Sequence, residues 1–408
     1  MTAGDVLVMP RRRSIGREFR LVWMSVVVSS TGDGMFITAF PLLAATLTTD
    51  PRLIAGVTIA SRLPWLMLSL LTGAIADRMD RRRLMIGADL ARCVVVGALG
   101  VAIVLDAANI WLLYASAFLL GTGETLHVNA AQAILPALVR PDDLLQANAR
   151  FGSGQIAAAQ FIGPPLGVVA FNAAASVPFL ADAVSFAGSA ALVGALPDVH
   201  AVEPARTRLR DDVLEGLRFT WHNRALRRIT AILTVINFFY FAATALLVLY
   251  NSQQLHSGSF TYSALFVGAA TGTVLSRFMV TALVERVGQV GTLATAFWLW
   301  SIPVLGLAFT TTPWVAVLMY LLLGVGTGLW FAVNTTVRQA ITPTRLLGRM
   351  NAAYRTVSWG VVPFGAAFGG LMAHWFGLRT TFLIAGLAML PIGVFGRRIL
   401  RPVEDALA

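Results

Sequence analysis

Two carboxylates interrupt long apolar runs: Asp33, between Gly32 and Gly34, and Glu124, in Gly121-Thr-Gly-Glu124-Thr-Leu-His127. An ionisable group deep in a membrane helix costs about 2.5 to 3.5 kcal/mol on insertion scales, so each needs a partner, a wet cavity or a task. A carboxylate in a partly dry cavity can take a proton on one side of a membrane and release it on the other, which is the minimum for coupling movement to a proton gradient. The competing reading is a permanent buried ion pair of Asp33 or Glu124 with Arg62, contributing little net stability. Arg62 is then either a structural counter-ion or a substrate contact. His127, one turn from Glu124, is placed to relay protons or to bond between helices. Asp89, Arg92 and Asp182 fall a turn or two from a membrane face, where snorkelling is available, and read as packing or gating groups.

Around the two carboxylates, Phe36, Phe40, Asn129, Asn237, Phe238, Phe241, Trp330, Phe331 and Asn334 are candidates to line a cavity. Aromatics with a few amides suit a large amphipathic ligand, including a cationic one. The same residue types also pack between helices or face lipid. Other chemistries lack their residues. The single cysteine, Cys93, excludes an intrachain disulfide, and the five histidines are scattered without metal-site spacing. No phosphate-binding loop occurs, and all 31 basic residues are arginine, so no Gly-x-x-x-x-Gly-Lys motif is possible. No cofactor, metal or enzymatic activity is expected.

The elements that must position these residues follow from composition. Of 408 residues 57% are hydrophobic and 12% charged, with mean hydropathy +0.74, whereas soluble domains carry about 25% charged residues. Apolar runs of roughly 20 residues, the length that crosses a bilayer, predict helices over 21–47, 53–76, 84–105, 110–134, 151–171, 177–196, 229–250, 261–284, 290–309, 314–337, 351–373 and 378–396. The expected fold is an all-α membrane protein of twelve transmembrane helices in two pseudo-symmetric six-helix bundles. Residues 1–20 and 397–408 read as cytoplasmic tails, 21–196 and 229–396 as the bundles, and 197–228 as a cytoplasmic linker. The linker's Leu209, Val213, Leu214, Leu217 and Phe219 suit a surface amphipathic helix, with a disordered linker as the alternative.

The net charge of +11 could suggest nucleic acid, but the arginines alternate with the helices. With both termini cytoplasmic, the inner connections hold Arg78, Arg81 to Arg83, Arg140, Arg206 to Arg228, Arg286, Arg338 to Arg349 and Arg397 to Arg401. The outer loops keep Arg52 and Arg379. This is the positive-inside pattern of a bacterial inner membrane protein, and Arg11 to Arg20 read as a retained tail rather than a cleaved leader.

The halves repeat. Asn129-Ala-Ala-Gln132-Ala-Ile-Leu-Pro136 returns as Asn334-Thr-Thr-Val-Arg-Gln-Ala-Ile-Thr-Pro343, and Gly163-Pro164-Pro165-Leu-Gly167 as Pro363-Phe-Gly365-Ala-Ala-Phe-Gly369. Prolines kink a helix and glycines four apart admit a close neighbour. The loop Gly73-Ala-Ile-Ala-Asp77-Arg78-Met-Asp80-Arg81-Arg82-Arg83 resembles the signature loop of the major facilitator superfamily, with Asp80 in place of the second glycine. The Gly163-Pro164 step is similar to the end of that superfamily's exporter motif. With Arg62-Leu-Pro64, Asp89-Leu-Ala-Arg92 and Asp182-Ala-Val-Ser-Phe186, the first half resembles the branch of macrolide-efflux proteins and enterobactin exporters.

The resemblance implies that Gly73, Asp77, Arg78, Arg81, Arg82, Gly163, Pro164 and Gly167, together with Asp89 and Arg92, serve gating, with Asp77 facing the helix that begins near Asn351. It implies secondary export of a small amphipathic molecule, a drug, macrolide-like compound or siderophore, by a monomer exchanging it for protons. The alternatives are a uniporter or importer of a small metabolite and, more remotely, an intramembrane enzyme or a sensor.

Overall fold

In lipid a helix satisfies its own backbone polar groups, and the computed structural model is helical accordingly. It describes residues 16–140, 143–197 and 209–407, and no strand occurs among them. The first four spans are Arg17–Leu47, Pro51–Arg78, Arg81–Val104 and Ile110–Leu138. The fifth runs through Leu144–Ile156, a π turn at Ala157–Ile162 and Gly163–Ala173; the sixth is Val177–Gly194. A helix at Leu209–His222 precedes the seventh span, Arg224–Thr244. The segment Ser259–Leu307 breaks at Gly288, where φ is 76°, and supplies the eighth and ninth spans. Pro313–Ile341 is the tenth, Leu347–Gly360 with Val362–Phe376 the eleventh, and Leu378–Leu407 the twelfth. The linker residues 198–208 and the tail residues 1–15 lie outside the described residues.

Small residues set the close approaches within each half. A Cβ on Gly163 would strike the backbone of Gly34, and one on Gly167 the backbone of Met35. The fifth span therefore lies directly against the first, beside Asp33. Pro164 and Pro165 cannot donate backbone hydrogen bonds. The π turn just before them interrupts the regular helix, and the Pro164 carbonyl accepts from Thr38 Oγ1 of the first span at 3.2 Å. In the second half Gly365 and Gly369 of the eleventh span lie in the same way against Phe238 and Ala242 of the seventh. The internal repeat of the sequence is thus a repeated packing device.

The two bundles meet where the second span packs on the eleventh and the fifth on the eighth. One end of this seam is clasped. Ser259 donates to Asn172 at 2.8 Å, His374 lies 3.8 Å from Asp50, and Gly370 leaves room for Pro51, Arg52 and Ala55. Arg52 binds the Asp50 carboxylate at 2.7 Å and holds it below the usual carboxylate range. At the other end Asp80 caps the third span by accepting from the Arg83 amide at 2.9 Å. This gives a local reason for an acid where the superfamily's loop has glycine. Arg82 donates to the Val193 and Gly194 carbonyls at the end of the sixth span. Gly73, Asp77 and Arg78 lie in the last turns of the second helix, and their side chains are outside the described residues.

Candidate functional site

The first bundle is built around charge. Asp89 and Arg92 are three residues apart on the third span, and Asp182, Ser185, Phe186 and Ser189 follow helical spacing on the sixth, so each set shares one face. These faces meet the first and fourth spans. Arg92 pairs with Asp33, lies 3.8 Å from Asp89 and stacks its guanidinium 3.9 Å from the centre of the Phe186 ring. Ser189 donates to Asp89 at 2.6 Å, and Ser185 to Asp182 at 3.1 Å. His127 Nδ1 approaches Asp89 Oδ1 to 2.9 Å outside hydrogen-bond geometry, so both ring nitrogens are buried without a hydrogen-bond partner among the described residues. Glu124 accepts from the Trp65 indole at 3.3 Å.

Two glycines make the space. A Cβ on Gly32 would fall on the Asp182 carboxylate, and one on Gly123 on the aliphatic stem of Arg92. Asp33 faces a narrow cleft of about 30 Å³, room for about one water, whose walls include Ser29, Ser30, Arg92, Glu124, His127 and Gln155. Four carboxylates here share one guanidinium and one imidazole. The cluster is electrically neutral only when it holds three protons in all.

Asp89, Arg92 and Asp182 are at most 4% exposed. The third and sixth spans bury them against the first, so packing and ion pairing, not snorkelling, accommodate their charge. The alternative pairing with Arg62 is not formed, because Arg92 occupies that role; among the described residues Arg62 has no ion pair or hydrogen bond. Trp65 carries no sequence signal that sets it apart from other apolar positions.

The expected cavity residues separate. Phe40 is buried, stacked 4.3 Å from Phe36, and both pack on Phe179 inside the first bundle. Trp330 is buried with Phe297 and Trp300 in the core of the second. Asn237 donates to the Ser358 carbonyl at 2.6 Å and Asn334 to Tyr354 at 2.9 Å, so these amides tie helices together. Asn129 bonds Thr72 at 3.0 Å. Phe238 packs on Phe368, whereas Phe241 reaches Trp359 and Phe331 is exposed. Helical periodicity cannot distinguish these outcomes in spans that are apolar all round. Arg355 lies over Trp65, its guanidinium 5.6 Å from the ring centre.

A family model described as transmembrane secretion effector matches residues 10–408. The chain belongs to this family. It is a major facilitator superfamily transporter and not an enzyme. The multidrug efflux pump Tap of Mycolicibacterium fortuitum is 26% identical over 395 residues, covering 92% of this chain and 93% of that protein. The macrolide efflux protein A of Streptococcus pyogenes is 19% identical over 386 residues, covering 92% and 94%. Among solved structures, a bacterial homologue of the iron transporter ferroportin in an inward-facing state matches with TM-score 0.75 and 14% identity, over 95% of this chain and all of that one, 100%. The nucleoside transporter NupG matches with TM-score 0.71 and 12% identity, over 95% and 100%. At such identities these structures share the fold with this member of the family.

Proposed function

We propose that this transporter exports a small amphipathic molecule in exchange for protons, with the proton site in the first bundle. The observation that carries the reading is the cluster in which Asp33, Asp89, Glu124 and Asp182 surround Arg92 and His127, with Asp33 at the cleft. A buried guanidinium cannot satisfy four carboxylates at once, so protons enter and leave as the site exchanges one environment for another. The halves rock about the seam of the second, fifth, eighth and eleventh spans, giving alternating access. The arginine distribution sets the orientation, with the termini cytoplasmic and the Asp50 clasp outside. The efflux relatives support export of a drug-like or macrolide-like compound, and the chain acts as a monomer.

The test uses inside-out vesicles containing the full chain, with a panel of lipophilic dyes, macrolides and siderophores and an imposed proton gradient. Gradient-driven uptake of a panel member, abolished by Asp33→Asn in a protein that still inserts and folds, is the expected result. Transport that ignores the gradient, or an Asp33→Asn variant that remains coupled, contradicts it and favours a uniporter.

A further inference from the structure

The acidic groups of the first bundle are turned toward one another, and cationic groups remain at the seam. Arg355 of the eleventh span is exposed, yet its guanidinium lies 5.6 Å from the centre of the Trp65 ring on the second span. Gly360 meets Leu66 at the same helix crossing, which fixes Arg355 between the two bundles. Trp359, four residues on and thus on the same face as Arg355, is 41% exposed and contacts Phe241 of the seventh span. Arg62 lies one turn from Trp65, on the face of the second span that carries Trp65 and Leu66 toward the eleventh. Among the described residues neither Arg62 nor Arg355 has an ion pair. No buried carboxylate occurs among the described residues of the second half. A guanidinium within a membrane-spanning helix faces a wet cavity or a ligand rather than lipid.

We infer that Arg355, with Arg62 beside it, forms the anion-binding end of the substrate site, and that the substrate is an organic anion with a flat aromatic body. Trp65, Trp359 and Phe241 supply the faces on which that body stacks. The carboxylate, or an equivalent sulfonate or phosphate, takes the planar donor fork of arginine. This narrows the expected large amphipathic ligand to an anionic one. Glu124 does not compete for the substrate, because its accessible partner is the Trp65 indole. The inference rests on the transport reading for its meaning, but the site is tested by binding alone, without a gradient.

Purified full-length protein is titrated with radiolabelled 2-naphthoate in a scintillation proximity assay. Naphthalene-2-carboxamide and 2-naphthylmethylammonium serve as neutral and cationic competitors of the same shape. Saturable naphthoate binding is expected, about tenfold tighter than the amide, the scale of one charge-assisted contact, with the cation weakest. Arg355→Gln should abolish the preference for the anion while leaving the amide in place, and Arg355→Lys should restore part of it. Arg62→Gln should give a smaller loss, and Trp359→Leu should weaken anion and amide alike. Naphthoate binding that is absent, no tighter than the cation, or unchanged in a correctly folded Arg355→Gln protein overturns the inference. Loss of proton coupling with the anion preference intact would fault the antiport reading and leave this site standing.

Discussion

The two bundles repeat one packing plan with opposite interiors. In the first, Asp89, Arg92, His127 and Asp182 are all buried, with Asp33 and Glu124 at their edge. At the centre of the second stand Phe297, Trp300 and Trp330, tied by neutral bonds such as Trp300 to Thr327 at 3.0 Å and Ser301 to the Met389 carbonyl at 3.0 Å, with the half-buried Arg338 guanidinium stacked 4.0 Å from the Tyr354 ring beside them. An interior without buried carboxylates has none to protonate, whereas the first holds several around one guanidinium. Among the described residues the asymmetry places the buried carboxylates in one half, the half where we propose the proton site.

The sharpest way to break this contrast is Arg92→Met. Removing one partner of a buried ion pair costs about 3 to 5 kcal/mol, so thermal melting in detergent should fall steeply at neutral pH and transport should be lost. Adding Asp33→Asn to Arg92→Met should recover part of the melting temperature, since one uncompensated charge is removed with its partner. In the second bundle Trp330→Phe removes apolar volume without uncovering a charge. Its cost is expected at about 1 to 3 kcal/mol, with coupling to the gradient unchanged.

Glycine substitutions sharpen the comparison at the next level. Gly32→Ala and Gly123→Ala place a methyl on the Asp182 carboxylate and on the Arg92 stem. Overpacking typically costs about 1 to 3 kcal/mol, and both should melt earlier and couple poorly. Gly87→Ala, where a Cβ meets nothing within 4 Å, should be silent in both assays. The smallest effect is expected at the clasp. Asp50→Asn removes an exposed ion pair and should shift transport rates only slightly, more at low salt than at high. Because Arg52 lowers the Asp50 carboxyl in the folded protein, its contribution is present above the ordinary value of 3.8 and fades as pH falls through the lowered one. Melting curves of the two proteins should therefore converge in acid.

Much of this was legible before any coordinates. Apolar run length gives the spans, and the glycine pairs 163/167 and 365/369 give both the repeat and the contacts that seat it. Asp33 and Glu124 stand out because each is a lone charge in an apolar run. Depth along a span is legible, but the side it faces is not when every side is apolar. For that reason Asp89, Arg92 and Asp182 read as peripheral although they form the centre of the cluster, and Phe40 and Trp330 read as cavity walls although they are core. The spacing of Asp89 to Arg92 and of Asp182 to Ser185 and Ser189 held the missing signal. It marks shared faces without saying which helix they meet.

The central claim is that protons are held by the first bundle and not the second. It is tested most directly by infrared difference spectroscopy of the purified protein between alkaline and acidic pH, read at the carbonyl stretch of protonated carboxyl groups. Asp33→Asn and Glu124→Gln should each remove part of that pH-dependent band, while Glu285→Gln in the second half should leave the buried-carboxyl component unchanged. A band that survives both first-bundle substitutions intact would contradict the account.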